Sequence, residues 1–139
     1  MGWHYLDLGD FLLIGEAVLG IEAGVIAKMA NLPLADSALN APAAEFGGVE
    51  FYPDFVMKVA VLCLRLIKNH PLPDGNKRVG YMSAVEFAER NGYRWHPPRG
   101  DGPDGEETVE MMRAVAASAV DEEALARWIG DRLEKDDAS

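Results

Sequence analysis

The sequence predicts an all-α helical bundle that carries one small β-hairpin, folded as a single domain over residues 1–139. Three observations lead there. Apolar residues recur at three- and four-residue spacing along nearly the whole chain, the pattern of amphipathic helices. Only residues 43–52, where paired glycines lie between apolar residues, read as strand. A chain of 139 residues, 49% hydrophobic and 26% charged, suits one globular domain with one core.

The elements follow in order. Leu8, Phe11, Leu12, Gly15 and Leu19 form a helical stripe that ends near Gly20. A weaker pattern runs from Ile21 through Val25 and Ile26 to Met29. Pro33 restarts the chain after Asn31, and Leu34, Ala38 and Leu39 predict a short helix that Pro42 ends. The hairpin, a flap, then turns at Gly47 and Gly48, between Phe46 on one side and Val49, Glu50, Phe51 and Tyr52 on the other. Pro53 is expected at the first position of a long helix, with Asp54 adding negative charge to its first turn. Val56, Val59, Ala60, Cys63, Leu64 and Ile67 give that helix a wide apolar stripe up to Asn69, which makes it the central, most buried element. The prolines and glycine of residues 70–75 (HPLPDG) stop it. Asn76 is expected to cap the next helix, which runs through Val79, Met82, Val85 and Phe87 to Asn91-Gly92. A linker at 97–105 leads to helices over 106–117 and 121–133. Leu125, Trp128, Ile129 and Leu133 form the buried face of the last one, and residues 134–139 are expected to be a frayed acidic tail.

Charge narrows the function. The net charge of −10 argues against a nucleic-acid binder, which needs a concentrated positive surface. Within that acidic chain, Lys58, Arg65, Lys68, Lys77 and Arg78 form a basic island interrupted only by Asp74. It is either a set of solvated helix faces or a local anion site. No apolar run reaches the ~20 residues that span a bilayer. The first basic residue is Lys28 and no leader pattern precedes it, so a cytoplasmic location is expected. One cysteine, Cys63, forms no disulfide within the chain and reads as core. His4 and His96 stand isolated, without metal-ligand spacing. Trp3, Trp95 and Trp128 read as packing.

The chemistry concentrates at 70–78, HPLPDGNKR. The backbone N–H groups of Gly75, Asn76, Lys77 and Arg78 lie at a helix start, where they lack intrahelical acceptors and the dipole is positive, an arrangement suited to phosphate. Gly75 lets an anion approach the backbone, Asn76 offers an amide donor, and Lys77 and Arg78 supply charge. Asp74 is a hard oxygen ligand of the kind Mg²⁺ takes beside phosphates. His70, with an ordinary pKa of ~6.5, suits a general base, although a histidine after a helix is more often a cap or core residue. Lys58 and Arg65, seven apart on one helix, either line a nucleotide site or face solvent.

HPLPDGNKR resembles the signature of the Fic/Doc family, H-x-F-x-[D/E]-G-N-G-R-x-x-R, and in particular its death-on-curing (Doc) branch, which has Lys in place of the second Gly. DSALNAP (36–42), FGGVEFYP (46–53), Lys58, NHP (69–71) and FAERNGY (87–93) match in the same order, so the resemblance covers about residues 5–133. It implies a helical bundle with a hairpin flap, ATP and Mg²⁺ as cofactors, and transfer of part of the nucleotide to a protein hydroxyl. The same resemblance makes His70 the base, Asp74 the Mg²⁺ ligand, and Gly75, Asn76, Lys77 and Arg78 the phosphate contacts. The flap (Phe46, Gly47, Gly48, Val49, Glu50, Phe51) would hold the target chain by strand addition. Leu72 replaces the motif Phe, an apolar exchange that changes little. Tyr81 stands where adenylyl-transferring members have their last Arg, and with Lys77 this favours γ-phosphate transfer. The expected protein is a toxin that phosphorylates Ser/Thr, by similarity a threonine of translation elongation factor Tu, and is restrained by an antitoxin on a separate chain. Adenylyl transfer and a catalytically silent nucleotide-binding module are the alternatives.

Overall fold

Seven α-helices and two short antiparallel strand pairs make up residues 2–98 and 101–136, the residues that the computed structural model describes. In chain order they are α1 (Leu8–Leu19), α2 (Ala23–Met29), α3 (Leu32–Asn40), a 3-10 turn (Ala41–Ala43), β1 (Glu45–Phe46), β2 (Val49–Glu50), α4 (Phe55–Asn69), α5 (Asn76–Arg90), β3 (Tyr93–Trp95), α6 (Glu106–Ala116), α7 (Glu122–Gly130) and β4 (Leu133–Lys135). The architecture is the predicted helical bundle with a hairpin.

Side-chain caps decide several helix starts. Asp7 and Asp10 form a reciprocal capping box on α1, and Gly20 ends that helix with φ +70°. Asn31 accepts from the Leu34 N–H at the start of α3. At α4 the expectation of Pro53 in the first helical position is corrected. Asp54 is the N-cap and accepts from the Met57 N–H at 3.2 Å, because a carboxylate satisfies an orphan donor that proline leaves untouched.

Helix α4 is the axis of the core, packed against α3, α5, α6 and α7. The predicted stripe described one face, yet Val61 and Leu62 on the other are buried as well, while Val56 and Leu64 are only partly covered. A helix surrounded by others buries residues all round. Gly80 lets α5 lie close on α4: a Cβ there would sit 2.8 Å from Ile67 Cγ1. Cys63 lies in this core, where burial pushes its thiol up to about 12.

The hairpin is not the sole strand pair. β3 and β4 pair antiparallel, with Tyr93 opposite Lys135, Arg94 opposite Glu134 and Trp95 opposite Leu133. The last helix therefore stops at Gly130, Leu133 belongs to a strand, and Glu134 and Lys135 are paired rather than frayed. Residues 137–139 of the expected tail lie outside the described residues. Arg132 fastens this end. Its guanidinium stacks 3.5 Å from the Trp128 ring centroid and reaches Asp101 Oδ2 at 3.3 Å and Glu107 Oε2 at 3.2 Å. Asp101 is buried and its Oδ1 accepts from the Thr108 N–H at 2.9 Å, so a residue of the expected linker is part of the fold; Arg99 and Gly100 of that linker lie outside the described residues. His96, read as isolated, faces Glu134 at 3.2 Å on the surface. Among the described residues no helix is long and apolar enough to cross a membrane.

Candidate active site

The 70–78 loop joins the C-terminus of α4 to the N-terminus of α5 and is clamped from beneath. The Asn31 N–H donates to the Pro71 carbonyl at 2.7 Å, and Asn69 Nδ2 donates to the Leu34 carbonyl at 3.0 Å. Leu72, in the place of the motif Phe, is buried in the core. Asn76 closes the loop on itself: its Oδ1 accepts from the Leu72 N–H at 2.9 Å and its Nδ2 donates to the Leu72 carbonyl at 2.8 Å.

At this helix start the expectation of Asn76 as the cap is corrected. The N-cap of α5 is Gly75, with φ +88°, and Asn76 is the first residue of the helix. Its side-chain amide is turned onto Leu72 through its oxygen and one N–H, and its backbone N–H belongs to the first turn of α5. Gly75 is favoured by its left-handed φ; a Cβ there would also meet the tip of the Leu19 side chain, which can turn aside. No side chain caps α5, so the first turn keeps its orphan donors and its positive dipole end.

His70 ends α4 in the left-handed region, at φ +52°. It is exposed, and among the described residues its imidazole takes part in no hydrogen bond or ion pair. Asp74 is exposed; its Oδ1 accepts from the Gly75 N–H at 2.9 Å, and among the described residues its second oxygen meets no donor. Lys77 and Arg78 are exposed and form no ion pair among the described residues. Together these residues bring to one loop-and-helix junction a helix start, two cations, a carboxylate oxygen and an imidazole that have no partner among the described residues.

The basic island does not act as a unit. Lys58 does not face solvent. It is fully buried, with Nζ 2.7 Å from Glu50 Oε1 of the flap, 2.9 Å from the Pro42 carbonyl and 5.7 Å from the Tyr5 ring centroid. Burial opposes its charge, but the Glu50 carboxylate and Tyr5 outweigh that and hold its pKa above the ordinary lysine value. Arg65 lines a shallow pocket with Ser37, Asn40, Phe51 and Tyr52 at the base of the flap. The flap itself pairs Glu45 with Glu50 and Phe46 with Val49. Phe46, Val49 and Phe51 are 80%, 69% and 60% exposed, an apolar surface beside open strand edges.

A cleft of about 200 Å³ opens between α5 and α6, lined by Lys77, Arg78 and Tyr81 together with Met112 and Arg113. His70 and Asp74 do not line it. Sequence reasoning missed the α6 side of this cleft, because nothing in the loop motif points to a helix thirty residues downstream. Tyr81 is buried, with its ring edge-on to Trp95 at 5.4 Å between centroids.

This loop, its helix start and the hairpin are the parts that define a class. The Fic/DOC family model matches residues 5–88, more than half of the chain, and the chain belongs to the Fic/Doc family. It is similar to Toxin Doc of Mycolicibacterium smegmatis (strain ATCC 700084 / mc(2)155), with 33% identity over 123 residues, 88% of either chain.

Proposed function

We propose that the chain is a Doc-like toxin of a toxin–antitoxin pair, acting in the cytoplasm by moving the γ-phosphate of ATP to a Ser/Thr hydroxyl of a protein. The observation that carries this reading is the α5 start: uncapped, with Lys77 and Arg78 unpaired beside it, and a free imidazole at the other end of the same clamped loop. Helix-end donors stabilise charge on phosphate oxygens without reorganising, and cations beside them add to it, which is most of what phosphoryl transfer requires.

His70 would take the proton of the attacking hydroxyl. The hydroxyl oxygen forms a bond to the γ-phosphorus, the bond from phosphorus to the bridging oxygen breaks, and its electron pair leaves on ADP. The backbone N–H groups at the start of α5, with Lys77 and Arg78, would hold the phosphates in line for this attack. The free oxygen of Asp74 fits Mg²⁺, which binds through one or two carboxylates plus phosphates; such an ion would supply charge neutralisation on the nucleotide. Phe46, Gly47, Gly48, Val49, Glu50 and Phe51 would present the flap edge to an extended target segment. By similarity the target is translation elongation factor Tu, and the restraining partner is a separate antitoxin chain.

Lys77 and Tyr81 separate this reading from adenylyl transfer. Tyr81 stands in the place of the motif's last Arg and lies buried against Trp95, so it offers no cation to a phosphate. The test is ATP labelled at the α or the γ position, incubated with protein and target. The γ label should move and ADP should be released. Transfer of the α label with pyrophosphate release would establish adenylyl transfer, and no transfer of either label with nucleotide bound would establish a silent binding module.

A further inference from the structure

We infer that the groove between α6 and α7 is a docking surface for an extended basic segment of another protein. The groove holds about 720 Å³, and neither the 70–78 loop nor the flap contributes to its walls. Its α6 wall runs from Glu107 to Ala114, about 10 Å along the helix axis, the length of about three residues of extended chain.

Charge selects the occupant. Residues 101–136 contain eleven acidic residues against four basic ones, so most of the chain's negative charge lies in this half. Glu107, Glu110 and Asp131 put three exposed carboxylates on the groove wall. Arg132 stands among them, but the buried Asp101 already balances it at 3.3 Å. Glu110 is held only by Arg113, at 3.7 Å and with both side chains largely exposed, a contact that solvent readily replaces. Asp131 has no ion pair among the described residues. Such a wall attracts lysine or arginine and repels acidic chains.

Trp128 and Met111 add apolar surface beside the carboxylates. The Arg132 guanidinium lies 3.5 Å from the Trp128 ring centroid and its Nη1 donates to the Trp128 carbonyl at 3.1 Å. The ring is therefore held in place before a partner arrives, which removes an ordering cost from binding. The stems of lysine and arginine pack on surface of this kind while their charged heads reach carboxylates. Arg132 also separates a peptide from a simple polycation. It is 5% exposed, and its Nε, at the groove wall, meets no acceptor among the described residues. A polyamine has no oxygen to offer there, whereas a peptide brings main-chain carbonyls for the orphan donor as well as cations for the carboxylates.

The test uses the full chain and a fluorescein-labelled peptide of alternating lysine and alanine, read by anisotropy at low ionic strength. The unmodified chain should bind it and ignore the same peptide with glutamate in place of lysine; no binding of the lysine peptide would overturn the proposal. Glu110→Lys combined with Asp131→Lys, both at exposed positions, should weaken binding at least tenfold. Glu16→Lys with Glu123→Lys makes the same change of net charge away from the groove and should stay within twofold. Equal losses in the two pairs would mean that net charge alone holds the peptide, and the groove would fall. Trp128→Leu should weaken binding severalfold; the exposed pair carries the test if that variant fails to fold. Displacement of the peptide by an equal concentration of spermine would give the groove to polyamines, and a dimer in light scattering that the Glu110→Lys, Asp131→Lys pair dissolves would give it to a second copy. Either result overturns the basic segment, and none of these readouts depends on nucleotide.

Discussion

The role proposed for His70 conflicts with the backbone it occupies. A left-handed φ costs a non-glycine residue about 1–2 kcal/mol, and glycine is the usual residue at such a helix end. His70→Gly should therefore raise stability by about 1 kcal/mol in a denaturant titration and abolish transfer; a loss of stability would show that the imidazole holds the loop. Asn76 behaves oppositely. Its amide satisfies both backbone groups of Leu72, so Asn76→Ala should cost about 1–3 kcal/mol and lower transfer by disordering the loop rather than by removing a phosphate contact. Asp74→Asn keeps an oxygen for the Gly75 N–H but removes the charge, so transfer should need far more Mg²⁺ while the melting temperature stays put. Unchanged activity at limiting Mg²⁺ would exclude Asp74 as the ligand. The types of all these residues were legible from the motif. The direction of the Asn76 side chain was not, because an amide at a helix start has a cap, a loop carbonyl and a ligand all within reach, and only the path of the loop chooses among them.

At the scale of elements, the flap depends on a buried lysine. β1 and β2 are exposed on both faces, and the Glu50–Lys58 pair ties them to α4. Glu50→Ala leaves the Lys58 ammonium buried with the Pro42 carbonyl. The cost should be below the ~3–5 kcal/mol of a fully buried pair, since Glu50 is 43% exposed and water takes part of its place. Hydrogen exchange at the flap amides should accelerate. The double variant Glu50→Ala with Lys58→Met should recover stability, since it removes the stranded charge; no recovery would mean that the pair does not anchor the flap. Helical spacing identified the hairpin and α4 but placed Lys58 only as a choice between solvent and nucleotide. Its actual partner lies in the flap, eight residues away across Pro53, and periodicity within a helix carries no information about such a contact. The second strand pair was missed for a similar reason: three-residue strands, one of them inside an acidic end, give too little alternation to read.

For the molecule as a whole, the Asp101–Arg132 pair closes the C-terminal half, and it carries a pH signature. Burial works against the Asp101 charge, but the Thr108 N–H and the Arg132 guanidinium overcome it and hold its pKa below the usual carboxylate value. A carboxyl depressed in the folded state contributes stability above its unfolded pKa of ~3.9 and loses it as pH falls through the lower folded value. Asp101→Asn should destabilise by up to about 3 kcal/mol at pH 7, the lower end for a broken buried pair because Glu107 still faces Arg132. The gap between variant and unmodified protein should narrow below about pH 4; a constant gap down to pH 2 would remove the pair from this role. The sequence by itself determined the helical class, the turn at Gly47-Gly48, the burial of α4 and the uncapped helix start that follows the 70–75 loop. These follow from spacing, turn residues and helix-end donors, all of which are properties of neighbouring residues. Only the tertiary structure decided that Lys58 faces Glu50, that Asn76 clasps Leu72, that Arg132 reaches Asp101, and that α6 brings Arg113 to the cleft beside Lys77. Each of these is a choice of partner by a polar group, and that choice depends on which distant segment is packed against it.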